Sequence, residues 1–196
     1  MRSAEWSHWN EAEDICIKIY LIPSRMIECS VFGYLEEVDC ICNHLRLYKR
    51  TDRTVNESIY SNGLNTLLVS EESDGVYLVS RGAPDRNKNR MSLCSKVQRS
   101  RIRTLDTLGM FLSSLGFELV RRGTVTSTVF EKGPAYVEIS RYAPEESGCR
   151  EDKKTGGYHL VKVFATAENA YDGEKILSKM IEELEDQVQL LRPSIK

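Results

Sequence analysis

The chain has 196 residues and a mass of 22.4 kDa; 41% of its residues are hydrophobic and 29% are charged. This composition excludes wholesale disorder and fibrous proteins, and the length favours one domain whose core needs neither disulfide nor metal. The net charge of -2 and the isoelectric point near 6.0 exclude a globally basic nucleic-acid-binding protein. No apolar run approaches the roughly 20 residues that span a bilayer, and the start does not resemble a secretory signal. We therefore expect a soluble protein with no membrane partner.

The first half of the chain mixes strands with one helix. Alternating apolar residues predict a strand over 14–21, and a second apolar run follows over 26–32. Leu35, Val38, Cys42 and Leu45 recur at helical spacing and predict a helix over 34–47. The polar run 49–57 predicts a loop, and two strands, 64–70 and 76–80, flank a turn.

The second half begins with a basic connection over 81–103. A leucine stripe after Thr104 predicts a helix that ends at Gly116. Glycines then separate four predicted strands, 117–121, 124–130, 135–142 and 159–166, and a charged loop occupies 143–157. A last helix is predicted over 172–191, before Pro193.

Short connections between about seven strands imply antiparallel pairing, because parallel strands need long crossovers. The predicted fold class is α+β, an antiparallel β-barrel or strongly curved antiparallel sheet flanked by about three helices.

Residues that carry chemistry are scarce. The six cysteines, at positions 16, 29, 40, 42, 94 and 149, are scattered, and we expect reduced, mostly buried thiols. The three histidines have no partner at metal-ligand or catalytic-triad spacing, and no phosphate loop or nucleophile motif occurs. We predict no catalytic, cofactor-binding or metal-binding residues, no cofactor, and no enzymatic activity.

One enzymatic alternative stays open. Small antiparallel barrels that act on triphosphates use an N-terminal E-x-E-x-K strand, and Glu11 and Glu13 fit it, but Ile15 stands where the lysine is needed. Such an enzyme also needs inward-facing Arg, Lys and Glu, and a divalent metal. Alternation at Val125 and Val129, and again at Val161 and Val163, predicts instead at least one filled apolar face. The alternative is a triphosphate tunnel-type barrel hydrolase acting on nucleotide or inorganic triphosphates.

The segment 81–103 is the strongest electrostatic feature. It holds eight Lys or Arg and one acid, Asp85, for a local charge of +7. It has no aromatic residue for stacking on bases, so an acidic protein partner is favoured over single-stranded RNA, and no sequence-specific nucleic-acid binding is expected. The candidate charged partner surface comprises Arg86, Lys88, Arg90, Lys96, Arg99, Arg101 and Arg103.

The order of several short motifs resembles subunit 18 of the Mediator transcription complex. They are Met26–Gly33, Tyr77–Pro84 with Lys88–Arg90, Phe111–Leu119 with Gly123, Thr128–Gly133, Val137–Tyr142, Tyr158–Val163, and a last helix followed by Leu190–Ser194. The Leu115-Gly116-Phe117 corner with its following hairpin is the most specific part. The resemblance covers about residues 26–195, and the region 50–64 matches poorly.

This resemblance implies a non-enzymatic nuclear protein of the Mediator head module, a coactivator that regulates RNA polymerase II transcription through protein contacts. The implied partners are Mediator subunit 20, as a heterodimer, a C-terminal helix of subunit 8, and RNA polymerase II through the assembled head module. The implied domain organisation is a single β-barrel domain over 26–196, preceded by an N-terminal extension over 1–25 that is either partly disordered or adds a strand.

Overall fold

The computed structural model describes residues 5–6, 19–21, 26–103, 107–144 and 157–193. Within these ranges the strands are β1 (Glu5–Trp6), β2 (Ile19–Leu21), β3 (Ile27–Leu35), β4 (Lys49–Ser61), β5 (Thr66–Glu72), β6 (Gly75–Arg81), β7 (Leu93–Ile102), β8 (Glu118–Lys132), β9 (Ala135–Pro144) and β10 (His159–Ala167). The helices are α1 (Asp39–His44), α2 (Leu108–Ser114) and α3 (Ala170–Leu184).

The strands pair in the order β7-β3-β10-β9-β8-β4-β5-β6, and β6 pairs again with β7. This second pairing closes eight strands into an antiparallel barrel, with β2 and β1 added beside β7. The predicted fold class, an antiparallel barrel flanked by three helices, is confirmed.

The chain divides into two compact units. The first comprises 1–24, 55–81 and 97–124, and the second comprises 25–54, 82–96 and 125–196, as far as these ranges are described. In the first unit, α2 places Leu108 and Leu112 in a small core with Tyr60, Val69 and Ile102.

The larger core lies in the second unit, where α3 packs on β3 and β10. Alternation along β10 buries Val161, Val163 and Ala165 completely, together with Leu177 and Leu184 of the helix. The apolar face predicted at Val161 and Val163 is therefore a filled core. Its burial is the main stabilising contribution, since each fully buried aliphatic side chain contributes about 1.5–3 kcal/mol.

The predicted loop over 49–57 is wrong, because these residues form most of β4. Their polar side chains find partners on the adjacent strand β8 and on β9 beyond it. Asp52 accepts a hydrogen bond from Thr128 Oγ1 at 2.6 Å, and Arg53 Nη2 lies 2.6 Å from Glu138 Oε1. Cross-strand polar pairs stabilise a strand that shows no apolar alternation.

The basic connection predicted over 81–103 is wrong in its second half, where β7 forms. The helix predicted over 34–47 is shorter, 39–44, because β3 continues to Leu35, whose backbone partner is His159. Between the two predicted strands 117–121 and 124–130, Gly123 is buried and does not turn, so β8 is continuous.

The last helix ends at Leu184 rather than near 191. The chain then crosses β3, where Phe32 and Leu191 exchange two backbone hydrogen bonds of 2.9 and 2.8 Å. Of the first predicted strand, 14–21, only Ile19–Leu21 is described, and it is a strand; residues 14–18 lie outside the described residues.

Candidate functional site

The predicted basic residues are distributed over both units. Arg86, Lys88, Arg90 and Lys96 belong to the second unit, whereas Arg99, Arg101 and Arg103 belong to the first. On strand β7, Lys96 is on the same face as the buried Cys94, whereas Arg99 and Arg101 are on the opposite face, because successive side chains of a strand alternate. The seven residues therefore differ in environment and are described separately.

The connection between β6 and β7 is a loop held by its own polar side chains. The Asp85 carboxylate accepts a hydrogen bond from the Asn87 N–H at 3.0 Å, and the Asn87 side chain accepts one from the Asn89 N–H at 3.0 Å. These Asx turns replace the ladder bonds that the loop lacks. Arg86 and Lys88, at the tip of the loop, are exposed.

The C-terminal segment clamps this loop through Arg192. The Arg192 guanidinium donates to the carbonyl oxygens of Asn87 and Arg90 at 2.8 and 2.9 Å, and to that of Asp85 at 3.1 Å. A planar guanidinium suits three convergent carbonyls, which a lysine ammonium cannot match in geometry. The loop conformation that presents Arg86 and Lys88 therefore depends on the last described residues of the chain.

The Arg90 side chain forms ion pairs within the fold and is not an unpaired surface cation. Its guanidinium lies 3.1 Å from Asp85 Oδ2 and 3.0 Å from Glu174 Oε2, and its side chain is 24% exposed. Glu174 also accepts hydrogen bonds from the N–H and hydroxyl of Ser92. The Glu174 carboxylate, followed by that of Asp85, raises the pKa of Arg90. The Asn87 N–H, followed by Arg90, lowers the pKa of Asp85.

Arg99 and Arg101 are bound to the β5–β6 hairpin within the first unit. The Arg99 guanidinium lies 2.8 Å from Glu72 and 3.7 Å above the centroid of the Tyr77 ring. Arg101 donates to the carbonyl oxygen of Asp74. Both guanidinium groups bind groups of the hairpin, although Arg101 itself is exposed. In the sequence nothing distinguishes these two arginines from Arg86 and Lys88.

The exposed cations of the predicted set in the second unit are Arg86, Lys88 and Lys96. No ion pair joins these three to another residue in the described ranges. Arg103 is exposed in the first unit, next to residues outside the described ranges. An exposed cation on a short loop attracts an acidic partner from a distance but contributes little as a single ion pair.

A second set of charged residues was not predicted. It occupies the face of β3, β9 and β10 opposite the α3-covered core. Lys162 Nζ lies 2.9 Å from Glu28 Oε1, with side chains only 12% and 8% exposed. Next to them, the Tyr136 and Phe164 rings stack with centroids 5.0 Å apart. One feature of the sequence could have indicated these buried charges: each is a single charged residue between apolar neighbours, as in Val161-Lys162-Val163 and Val137-Glu138-Ile139.

These buried charges are balanced by opposite charges. Arg53 reaches both Glu138, at 2.6 Å, and the Ser127 hydroxyl, at 3.0 Å. A paired lysine and glutamate need no ligand for neutrality, since buried charges are tolerated when paired and hydrogen-bonded. Within the described ranges, no group of three or more His, Cys, Asp or Glu side chains is placed to hold a metal ion. Glu11, Glu13 and Ile15 of the E-x-E-x-K comparison lie outside the described residues.

Comparison with known proteins finds similarity in structure but not in sequence. No family model matches the chain, and no curated protein matches it. A chain of the Schizosaccharomyces pombe Mediator head module matches with a TM-score of 0.68 and 12% identity, covering 86% of this chain and all of that one.

Two further solved structures carry a different description. A Vibrio parahaemolyticus protein provisionally assigned as an adenylate cyclase matches with a TM-score of 0.56 and 12% identity, over 83% of this chain and 92% of that one. A Hippeastrum protein provisionally assigned as an adenylyl cyclase, with a dominant triphosphatase activity, matches with a TM-score of 0.53 and 8% identity, over 87% and 92%. At these identities the matches establish the fold, a Mediator-like barrel, and not an activity. Separately, no helix in the described part of the chain is long and apolar enough to cross a membrane.

Proposed function

We propose that this chain is a non-enzymatic subunit of the Mediator head module, of the subunit 18 type, that regulates RNA polymerase II transcription in the nucleus. The observation that carries the proposal is the match to a head-module chain over the whole length of that chain. The order of motifs over about 26–195, which resembles subunit 18, supports it independently of the fold comparison.

The domain organisation follows from the same proposal. Residues 26–196 form the subunit 18-like domain, and residues 1–25 precede it as an extension. The partners are a related barrel, Mediator subunit 20, and a C-terminal helix of subunit 8. A preformed barrel with paired strands can receive a helix without large backbone movement.

We propose that only some of the seven candidate basic residues form the charged partner surface. Arg86, Lys88 and Lys96 are exposed and form no ion pair within the described residues, whereas Arg90, Arg99 and Arg101 bind other groups of the fold. Arg103 is exposed as well, but it lies next to residues outside the described ranges. We expect Arg86, Lys88 and Lys96 to contact acidic side chains of a partner. We expect Arg90 to maintain the β6–β7 loop, and Arg99 and Arg101 to maintain the β5–β6 hairpin.

A second candidate function is hydrolysis of triphosphates. Buried, oppositely charged side chains on one barrel face favour it, the Lys162–Glu28 pair above all. Two structural matches described as cyclases also favour it. The pairing of those charges with one another weighs against it.

The deciding experiment for the first candidate is co-purification. The chain, tagged at its C-terminus, is recovered from a nuclear extract of its own source, and the eluate is analysed by quantitative mass spectrometry. We expect the other head-module subunits at near-equal stoichiometry. A lone monomer in both nuclear and cytosolic extracts would overturn the Mediator proposal.

The second candidate is tested with the purified full chain, ATP or tripolyphosphate, and Mg²⁺ or Mn²⁺, with phosphate release as the readout. We expect no release above the protein-free rate. If release occurs, Lys162→Met must abolish it and the exposed Lys179→Met must not, because only the former lies on the charged barrel face.

A further inference from the structure

Two cysteines in the second unit face each other across adjacent strands. Cys29 of β3 and Cys94 of β7 are direct partners in the antiparallel register. Their Sγ atoms are 3.3 Å apart, and the residues are 0% and 2% exposed. Directly opposed residues of antiparallel strands have Cα atoms about 4.5–5.5 Å apart, which lies within the range that a disulfide spans.

The surroundings hold the two sulfurs in this arrangement. The Ser92 hydroxyl lies 3.2 Å from Cys94 Sγ, and Cys29 Sγ lies 3.7 Å from the carbonyl oxygen of Ala170 in the first turn of α3. A Cβ on Gly173 would lie only 2.6 Å from Cys29 Sγ. The sulfur is therefore packed closely against helix α3 and has no room to move towards the helix. Burial, followed by the contact with Cys94, raises the pKa of Cys29 to about 12.

We propose that Cys29 and Cys94 are an oxidisable pair that forms a cross-strand disulfide tying β3 to β7. The oxidant is a small neutral disulfide. One cysteine thiolate attacks a sulfur of this disulfide, forms a mixed disulfide and releases one small thiol. The other cysteine then loses its proton and displaces the second small thiol. Two protein thiols are oxidised and one disulfide is reduced to two thiols, so protons and electrons balance.

The native geometry requires little rearrangement. The two Sγ atoms must approach from 3.3 Å to a bond length of about 2.05 Å. Because the pair is buried, the oxidant reaches it only when the start of α3 opens locally. The reaction is therefore slow, and it accelerates as pH rises because the thiolate is the nucleophile. In a reducing compartment the pair remains as two thiols.

The test treats the full native chain with bis(2-hydroxyethyl) disulfide at pH 8.0 and pH 9.0, quenches it with iodoacetamide, and maps peptides by mass spectrometry without reduction. A second chain has Cys16, Cys40, Cys42 and Cys149 replaced by serine, so that Cys29 and Cys94 are the remaining cysteines. Its matched control carries Cys94→Ala in addition.

We expect the Cys29–Cys94 linkage to dominate, to form faster at the higher pH, and to raise the Tm by about 5 °C, because the cross-link restricts the unfolded chain. The control forms no intrachain disulfide and shows no such rise. Failure to form this linkage within a day, in both the natural and the serine-replaced chain, would overturn the proposal. So would a linked product with a Tm below that of the reduced protein.

Discussion

At single positions, one glycine in β3 is required by a close contact with backbone. The C-terminal segment crosses the strand at Gly33, where a Cβ would lie 2.6 Å from the carbonyl oxygen of Gln189 and 2.7 Å from Val188 Cγ2. One of these neighbours is backbone, so it cannot rotate away. The glycine therefore allows the close crossing that the two Phe32–Leu191 hydrogen bonds require.

We predict that Gly33→Ala lowers the free energy of unfolding by about 1–3 kcal/mol, the usual cost of overpacking. Gly82→Ala is the matched control, because a Cβ there would meet Lys96 at an ordinary 3.6 Å. Urea denaturation of both variants measures the difference. Equal midpoints would show that the crossing segment is not tightly packed.

The Asp85 carboxylate makes stability depend on pH. Its pKa is lowered by the Asn87 N–H and by Arg90, so the ionised form stabilises the folded state. This contribution is present above the unfolded pKa of 3.8 and is lost as pH falls through the lower folded value. We expect the urea midpoint of the wild type to fall more steeply below about pH 5 than that of Asp85→Asn. Asp186→Asn, which removes an exposed carboxylate of the same unit, should keep the wild-type slope.

At the scale of elements, α3 starts with a side-chain cap. The Asn169 side chain accepts a hydrogen bond from the Asp172 N–H at 2.9 Å. The Asn169 amide also donates to Asp172 Oδ2 at 2.7 Å. We predict that Asn169→Ala costs about 1 kcal/mol of stability and that Asn169→Ser restores most of it, because the serine hydroxyl keeps an accepting oxygen without placing a second carboxylate beside Asp172. Thermal unfolding measures both variants. Equal losses in the two would argue against capping.

Proteolysis of the loop between β6 and β7 can show whether Arg192 of the C-terminal segment holds this loop in place. Arg192→Ala removes the three hydrogen bonds to loop carbonyls, so we expect trypsin to cleave after Arg86 and Lys88 about tenfold faster. Arg192→Lys should not restore protection, since an ammonium lacks the planar fork. Unchanged cleavage in both variants would mean that the Asx turns alone hold the loop.

The elements that sequence patterns predicted well are those whose apolar face is buried against one neighbour. The strand at Val161 and Val163 and the last helix are examples, because their periodicity reports burial directly. The strand β4 was missed because its residues 49–54 are exposed, and partners distant in sequence, such as Thr128 and Glu138, hold it in place. No local pattern encodes such partners.

At the scale of the whole molecule, the exposed cations should act in association rather than in folding. We predict that Arg86→Glu with Lys88→Glu reduces recovery of head-module subunits about tenfold in the co-purification, with an unchanged Tm. The matched control is Arg46→Glu with Arg141→Glu, two exposed arginines of the same unit, with the same change in net charge. The loss should shrink at about 0.5 M salt, where exposed charges are screened. Equal recovery of both double variants would exclude the loop tip as a partner surface.

The sequence alone determined the fold class, the positions of most strands and the absence of recognisable catalytic motifs, because alternation, turn glycines and short connections are local properties. It also indicated where positive charge is concentrated. It could not assign the charges to roles: Arg90 and Arg99 look like Arg86 in sequence, but they are bound to Glu174 and Glu72, which lie in other elements. Nor could it place Lys162 beside Glu28, or Cys29 beside Cys94. The Lys162–Glu28 and Cys29–Cys94 pairs each join residues more than sixty positions apart, so they form only once the strands have adopted their register.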